Sequence, residues 1–258
     1  MTIQAGEAAP LSQSGFDSAL ARLGVDQAAL WSLLTVETRG FGFLPDRRPK
    51  ILFERHIFHK RTGGRFSARH PGISSPAGKG YLGNAAEYDR LAQAIKLDHD
   101  AALESGSWGL GQVMGFNAKK LGYQSAEAMV DEFRKGENEQ LEGACRFISG
   151  NDALRTAFSD KRWERVAFFY NGRAHAENGY AKKLDHYFTL YRIKGCPSVR
   201  TRVAQAWLTY LKYAPRGVDG IIGDGTLAAI VAFQQDHGLP VTAELDDATF
   251  QALEAAAS

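Results

Sequence analysis

Apolar residues recur at three- and four-residue steps through most of the chain, which predicts helices joined by short turns. The clearest stretch is DQAALWSLLTVETRG, which begins at a capping Asp26 and stops at Gly40. The same spacing predicts helices over 85–104, 125–134, 137–149 and 162–170, and a long amphipathic one in ENGYAKKLDHYFTLYRIK that breaks at Gly195 and Pro197. Three more helical stretches follow, over roughly 200–212, 225–236 and 246–256. Between the first two, GVDGIIGDGT supplies the turn residues Asp219, Gly220 and Gly223, and Thr226 starts a helix whose core face is Leu227, Ile230, Val231 and Phe233. From 41 to 84 the helical period is lost, and Gly, Pro and Ser predict loops with a short hairpin. The expected architecture is mainly α: a larger α+β domain over 1–194 with a small irregular or β-hairpin region, then a three-helix domain over 198–258.

Within the first helix, Leu30, Leu33, Leu34 and Glu37 fall on one stripe, so Glu37 points along the leucines toward the interior. A carboxylate that loses water there has its pKa raised and stays protonated near neutral pH, able to donate a proton. Two plainer roles compete with this one: an ion pair with Arg39 or Arg55, and an acid at a helix end that reaches solvent.

The stretch SWGLGQVMG, Ser107 to Gly115, sets small and apolar residues around Gln112, a few positions after the lone acid Glu104. Glycines let backbone approach a ligand closely, and a glutamine offers both donor and acceptor. That combination suits the floor of a groove.

Composition changes the picture little, but charge is uneven. The 258 residues are 44% hydrophobic with a net charge of +2. From Cys196 onward four basic residues stand against seven acids, so the first part is basic and the tail acidic. Arg47, Arg48, Lys50, Arg55, Lys60, Arg61, Arg65 and Arg69 crowd one segment with His56, His59 and His70; most of these side chains are expected to form a solvated loop face, and as a patch they would suit nucleic acid, an anionic membrane face or an acidic polysaccharide. Cys145 and Cys196 are too few for a disulfide framework and lack zinc spacing, and His56 with His59 lacks a third ligand, so no metal is expected. The opening MTIQAGEAAPLSQSGF has neither a basic segment nor an apolar run, and 18 uninterrupted apolar residues occur nowhere, so neither a signal peptide nor stable membrane insertion is expected.

Several of these motifs together carry a resemblance. TVETRGFGF resembles the catalytic-helix glutamate motif of the lysozyme superfamily that includes goose-type lysozymes and lytic transglycosylases. SWGLGQVMG is similar to that superfamily's Ser-x-Gly-Leu-x-Gln motif, and FFYNGRAHAENGYAKKL to its Tyr-Asn-Gly segment with a downstream Tyr. With ILFERHIF and ALESGSWG, they resemble the N-acetylmuramidase domain of phage endolysins from Gram-negative hosts, over roughly residues 20–192. The tail resembles a three-helix peptidoglycan-binding domain, its pattern met by Val218, Asp219, Gly220, Gly223, Thr226, Phe233 and Gln234, with Ala243 where a second glycine is usual.

The resemblance implies cleavage of the β-1,4 bond between N-acetylmuramic acid and N-acetylglucosamine, with bacterial peptidoglycan as partner and no cofactor. Glu37 is the implied general acid. Ser107, Trp108, Gly109 and Gln112 would line the saccharide cleft with Tyr170, Asn171 and Tyr180, where Trp108 and Tyr170 either stack on sugars or support the site. Hydrolysis needs a second carboxylate to activate water. Met114 stands where the later aspartate of goose-type enzymes falls, which leaves Glu104 as first candidate and Glu54 as second. Without a suitable base, attack by the muramic acid 6-hydroxyl would leave 1,6-anhydro ends. A non-catalytic wall-binding or virion protein is the alternative from another class. A nucleic-acid binder is the third, weakened by the acidic tail. The expected enzyme is a monomer made in the producing cell's cytoplasm that reaches the wall after pore formation or delivery.

Overall fold

The computed structural model describes residues 3–78, 80–83, 85–172 and 179–257. Contacts divide the chain into two compact units. One holds Gly42–Phe147 with the N-terminal segment to Ala8; the other holds Ala9–Phe41 with Ile148–Ser258.

Side-chain caps set where most helices begin. α1 spans Gln13–Leu23, with the Ser12 hydroxyl accepting from the Gly15 amide. α2 spans Gln27–Thr38, with Asp26 accepting from the Ala29 amide at 2.9 Å. Buried residues surround α2 on nearly every face, so the leucine stripe is part of a helix sunk in the core rather than laid on it.

In the unit built on Gly42–Phe147, β1 is Ile51–Phe53 and α3 is Arg55–Arg61. The predicted helix over 85–104 is two, α4 (Ala86–Leu97) and α5 (His99–Glu104). Asp98 takes an extended conformation and caps the second from its carboxylate, which accepts from the Ala101 amide, so one residue both ends a helix and starts another. β2 (Gly106–Trp108) and β3 (Val113–Met114) follow, then α6 (Ala126–Lys135) and α7 (Glu137–Ser149). The sheet has order β1-β2-β3, all antiparallel, with Ile51 opposite Trp108 and Trp108 opposite Val113. The hairpin is therefore SWGLGQVMG itself. Among the described residues of 41–84 a single β-bridge, Phe43 to Pro49, links neighbouring chain, and β1 pairs instead with a strand more than fifty residues away. Under the sheet lies a core of Phe53, Phe58, Leu91, Leu103, Trp108 and Phe133 with their neighbours.

The other unit continues with α8 (Asp152–Ser159), α9 (Trp163–Asn171), α10 (Tyr180–Lys194), α11 (Val199–Tyr210), α12 (Asp224–Asp236) and α13 (Asp247–Ala257). α10 packs along α2, tied by a 2.8 Å hydrogen bond between the Thr35 and Tyr191 hydroxyls. Gly195 closes α10 and Ser198 caps α11, so the helical break falls where Gly195 and Pro197 predict it. α11, α12 and α13 enclose Ala204, Leu208, Ile230, Phe233 and Leu253. No described helix is long and apolar enough to cross a membrane.

Candidate active site

Glu37 lies in the last turn of α2, half-buried, and its Oε1 accepts a hydrogen bond from the Tyr180 hydroxyl at the start of α10. Removal from water pushes its carboxyl up to about 7, with the Tyr180 hydrogen bond opposing part of the rise. Tyr180 is itself held well above the usual phenol range, by burial first and by the Glu37 charge second. Tyr170, near the end of α9, stacks on Tyr180 with ring centroids 6.5 Å apart. Among the described residues no cation forms a salt bridge with Glu37, and Arg39 is exposed. The group is a carboxylic acid that stays protonated to neutral pH and is oriented by a buried phenol. Asn171 closes α9, and its side chain lies outside the described residues.

Ser107, Gly109 and Gln112 belong to the other unit, on the β2–β3 hairpin. The Gln112 Oε1 accepts from Ser107 Oγ at 2.9 Å and its Nε2 donates to the Gly109 carbonyl at 2.8 Å. An amide has further donor and acceptor capacity, and Gln112 is only half-buried, so one hydrogen bond at each end can still go to a ligand. Gln112 itself adopts φ 47°, a left-handed conformation that a non-glycine residue takes only when its surroundings hold it.

Those surroundings come from α7. The Gln140 Oε1 accepts from the Leu110 amide at 2.7 Å while its Nε2 donates to the Phe133 carbonyl, and Glu137 Oε1 accepts from the Gly42 amide at 2.8 Å. Both side chains are wholly buried. Gly109 has φ 67°, and a Cβ there would lie 2.6 Å from the Gln140 amide carbon, so only glycine fits above this support. The sequence reading missed Glu137 and Gln140, because a polar residue on a helix looks the same whether it meets solvent or a backbone amide. Of the two readings of Trp108, the structure favours support of the site. The indole is fully buried, with Nε1 donating to the Leu103 carbonyl, so it offers no face to a sugar and anchors the hairpin from below.

The two remaining acids arrive at one end of the same sheet, since the Glu54 amide donates to the carbonyl of Ser105, next to Glu104. Glu104 ends α5 with its Oε2 2.7 Å from an Arg61 guanidinium nitrogen. Glu54 is more enclosed. Both its oxygens accept from the Tyr81 hydroxyl at 3.0 Å, and His56 Nδ1 lies 3.2 Å from Oε2. Burial raises its carboxyl above the usual range, against the lowering effect of Tyr81 and His56. The Tyr81 phenol is pushed up to about 12, by burial and then by Glu54. The loop bearing Tyr81 is pinned by the wholly buried Glu87, which accepts from the Leu82 and Gly83 amides, and by Arg90, which donates to the Gly80 carbonyl. Neither Tyr81 nor Glu87 carries a motif that would have marked it.

In the three-helix part, two buried glutamines clamp the turns that carry the motif residues. The Gln205 amide nitrogen lies within hydrogen-bonding distance of Asp219, the Ile221 carbonyl and Thr226, and its Oε1 accepts from the Asp219 and Gly220 amides. Gln234 repeats the arrangement with Thr242, the Glu244 carbonyl, Thr249 and the Ala243 amide. Phe233 is wholly buried and Gly223 forms the N-cap of α12. Gly220, Thr226, Phe233 and Gln234 are thus buried in turns and core, while Asp219 and Gly223 are exposed. Leu227, expected in the core, is 37% exposed beside Ile222, and together they border a shallow depression that reaches Arg200, Leu245 and Asp246.

The described residues contain no cluster of three or more potential metal ligands. Residues 26–192 match the N-acetylmuramidase family, and 198–253 match the peptidoglycan binding domain family. Among solved structures, the chain is similar to one titled "Crystal structure of Burkholderia AP3 phage endolysin", with 41% identity, 73% of each chain covered and a TM-score of 0.65. No curated protein matches.

Proposed function

Since the chain belongs to the N-acetylmuramidase family and carries a peptidoglycan-binding domain behind the matched region, we propose that Glu37 is the acid with which it protonates the leaving oxygen of a muramyl glycosidic bond. The chain is a glycoside hydrolase of peptidoglycan, and the observation that carries the residue assignment is the Glu37 carboxyl, poised at about 7 against Tyr180. A glycosidic oxygen is a poor leaving group until it is protonated, and an acid titrating near neutrality both holds and gives up its proton there. Gln112 and the hairpin backbone bind N-acetyl and hydroxyl groups of the sugars. Tyr170 supports Tyr180 through ring stacking.

For the base, Glu54 fits better than Glu104. Glu104 is engaged by Arg61, whereas Glu54 is half-enclosed and oriented by Tyr81, as a base that must aim at one water should be. The occupied oxygens of both acids favour one second reading. If neither is released, the muramic acid 6-hydroxyl attacks with Glu37 alone acting as acid and then base, and 1,6-anhydro ends result. Mass spectrometry of digested, borohydride-reduced peptidoglycan separates the two: reducible N-acetylmuramic acid ends support hydrolysis, anhydro ends support transglycosylation, and no new ends overturn the Glu37 assignment.

The biological role that fits is that of a phage endolysin. The enzyme works as a monomer on a solid polymer, without nucleic acid. It is made in the producing cell's cytoplasm and reaches the wall after a pore forms or a delivery machine carries it there. Residues 1–194 act as the catalytic domain and 198–258 as the anchor.

A further inference from the structure

The helix that carries Glu37 ends against the three-helix part of its own compact unit. Gly40, three residues past Glu37, has φ 85°, and a Cβ there would lie 3.0 Å from the Val218 carbonyl oxygen. Its own carbonyl accepts a hydrogen bond from Arg202 Nε on α11. Arg202 is wholly buried, with its guanidinium carbon 5.8 Å from the Phe41 ring centroid, and the Phe41 ring in turn meets Tyr210 at 6.0 Å. The residue between Glu37's turn and this contact, Arg39, is held at φ 57°.

We propose that Arg202 and the Val218–Gly220 turn are positioning elements for Glu37, so that the peptidoglycan-binding part fixes the end of the catalytic helix as well as anchoring the enzyme. The inference rests on the reading of Glu37 as the acid. The last carbonyls of a helix have no partner within it, and helix ends fray unless something outside supplies donors. Here Arg202 holds the carbonyl of Gly40, two residues past the end of α2, and its charge near the negative end of the helix adds a favourable charge–dipole term. Burying a guanidinium is costly, and the hydrogen bond to that carbonyl offsets part of the cost. A wall anchor on a free linker would need none of these contacts.

The test uses the full chain and measures kcat and KM on a soluble glycan hexasaccharide, too short to need the anchor, beside retention on purified peptidoglycan. Arg202→Met should melt cooperatively and stay on the polymer, yet lose about tenfold or more in kcat with KM little changed, since small misplacements of a catalytic group are costly. Arg202→Lys, which keeps a donor and a charge, should recover part of the loss. A folded Arg202→Met with wild-type kcat, or a loss confined to KM or retention, overturns the proposal. If Arg202→Met does not fold, Gly40→Ala presses the same junction from the other side, and wild-type kcat in that folded variant overturns it equally. Glu37→Gln that still cleaves the hexasaccharide removes the acid reading instead. An inactive Glu37→Gln beside a normal Arg202→Met removes only the positioning role.

Discussion

The Tyr180 hydroxyl donates to the Glu37 carboxylate across 143 positions of sequence, joining the first residue of α10 to the last turn of α2. The contact leaves the acid raised to about 7 yet lower than burial alone would set it.

The pH profile follows from this pair. The protonated acid is the active form, so kcat/KM should fall on the alkaline side through about 7. Tyr180→Phe removes an interaction that favours the charged form, which moves that limb to higher pH. Glu37→Gln should lower turnover by roughly 10²–10⁴ at every pH. A limb that stays in place in Tyr180→Phe would separate the tyrosine from the acid.

The same carboxyl makes the fold pH-sensitive. In the unfolded chain Glu37 ionises near 4.5, whereas in the fold it keeps its proton to about 7. The folded state therefore binds more protons between those values, and stability declines as pH rises through the window. Glu37→Gln should be stabilising at pH 8, by roughly 1–3 kcal/mol, and close to neutral at pH 4, as read by denaturant melts.

Tyr81→Phe tests the base. It removes a hydrogen bond that lowers the Glu54 carboxyl, so the acid limb of kcat/KM should move upward in pH if Glu54 must be ionised. An unmoved limb, with Glu54→Gln retaining hydrolysis, would transfer the role to Glu104 or to the substrate's own hydroxyl.

Gln140→Ala removes the hydrogen bonds that Gln140 makes to the Leu110 amide and the Phe133 carbonyl in the core, at a cost of about 1–3 kcal/mol. Because Leu110 lies in the hairpin loop that presents Gln112, activity at a temperature where the variant is folded should fall as well. Calorimetry with kinetics below the transition checks both effects.

Ala243 adopts φ 60° in the turn clamped by Gln234, where an alanine side chain is strained. Ala243→Gly should stabilise the chain by about 1 kcal/mol, seen as a rise in Tm, with retention on peptidoglycan preserved.

Much of the fold was legible where the signal is local. The Asp26 cap, the helical break at Gly195, and Glu37 on an inward stripe all follow from neighbours a few residues apart. What failed depended on distant chain. β1 pairs with β2, which lies beyond α3, α4 and α5 in the chain, so the segment expected to hold a local hairpin holds a single bridge among its described residues. Asp98 looked like one more polar position in a continuous helix until its carboxylate turned to cap the next one. In the three-helix part, Thr226 starts a helix as expected, yet its hydroxyl is buried against Gln205 from another helix, a contact no local spacing marks. The buried supports Glu137, Gln140 and Glu87 satisfy backbone amides, and no spacing rule marks such a role.

The paired glutamine clamps leave α12 in a double position, since it supplies Thr226 to the clamp from α11 and Gln234 to the clamp on α13. Each helix is thus latched to the next in series, like links sharing a pin. The joints between these helices are therefore made twice, once by the chain of each turn and once by a glutamine hydrogen bond over a shared core.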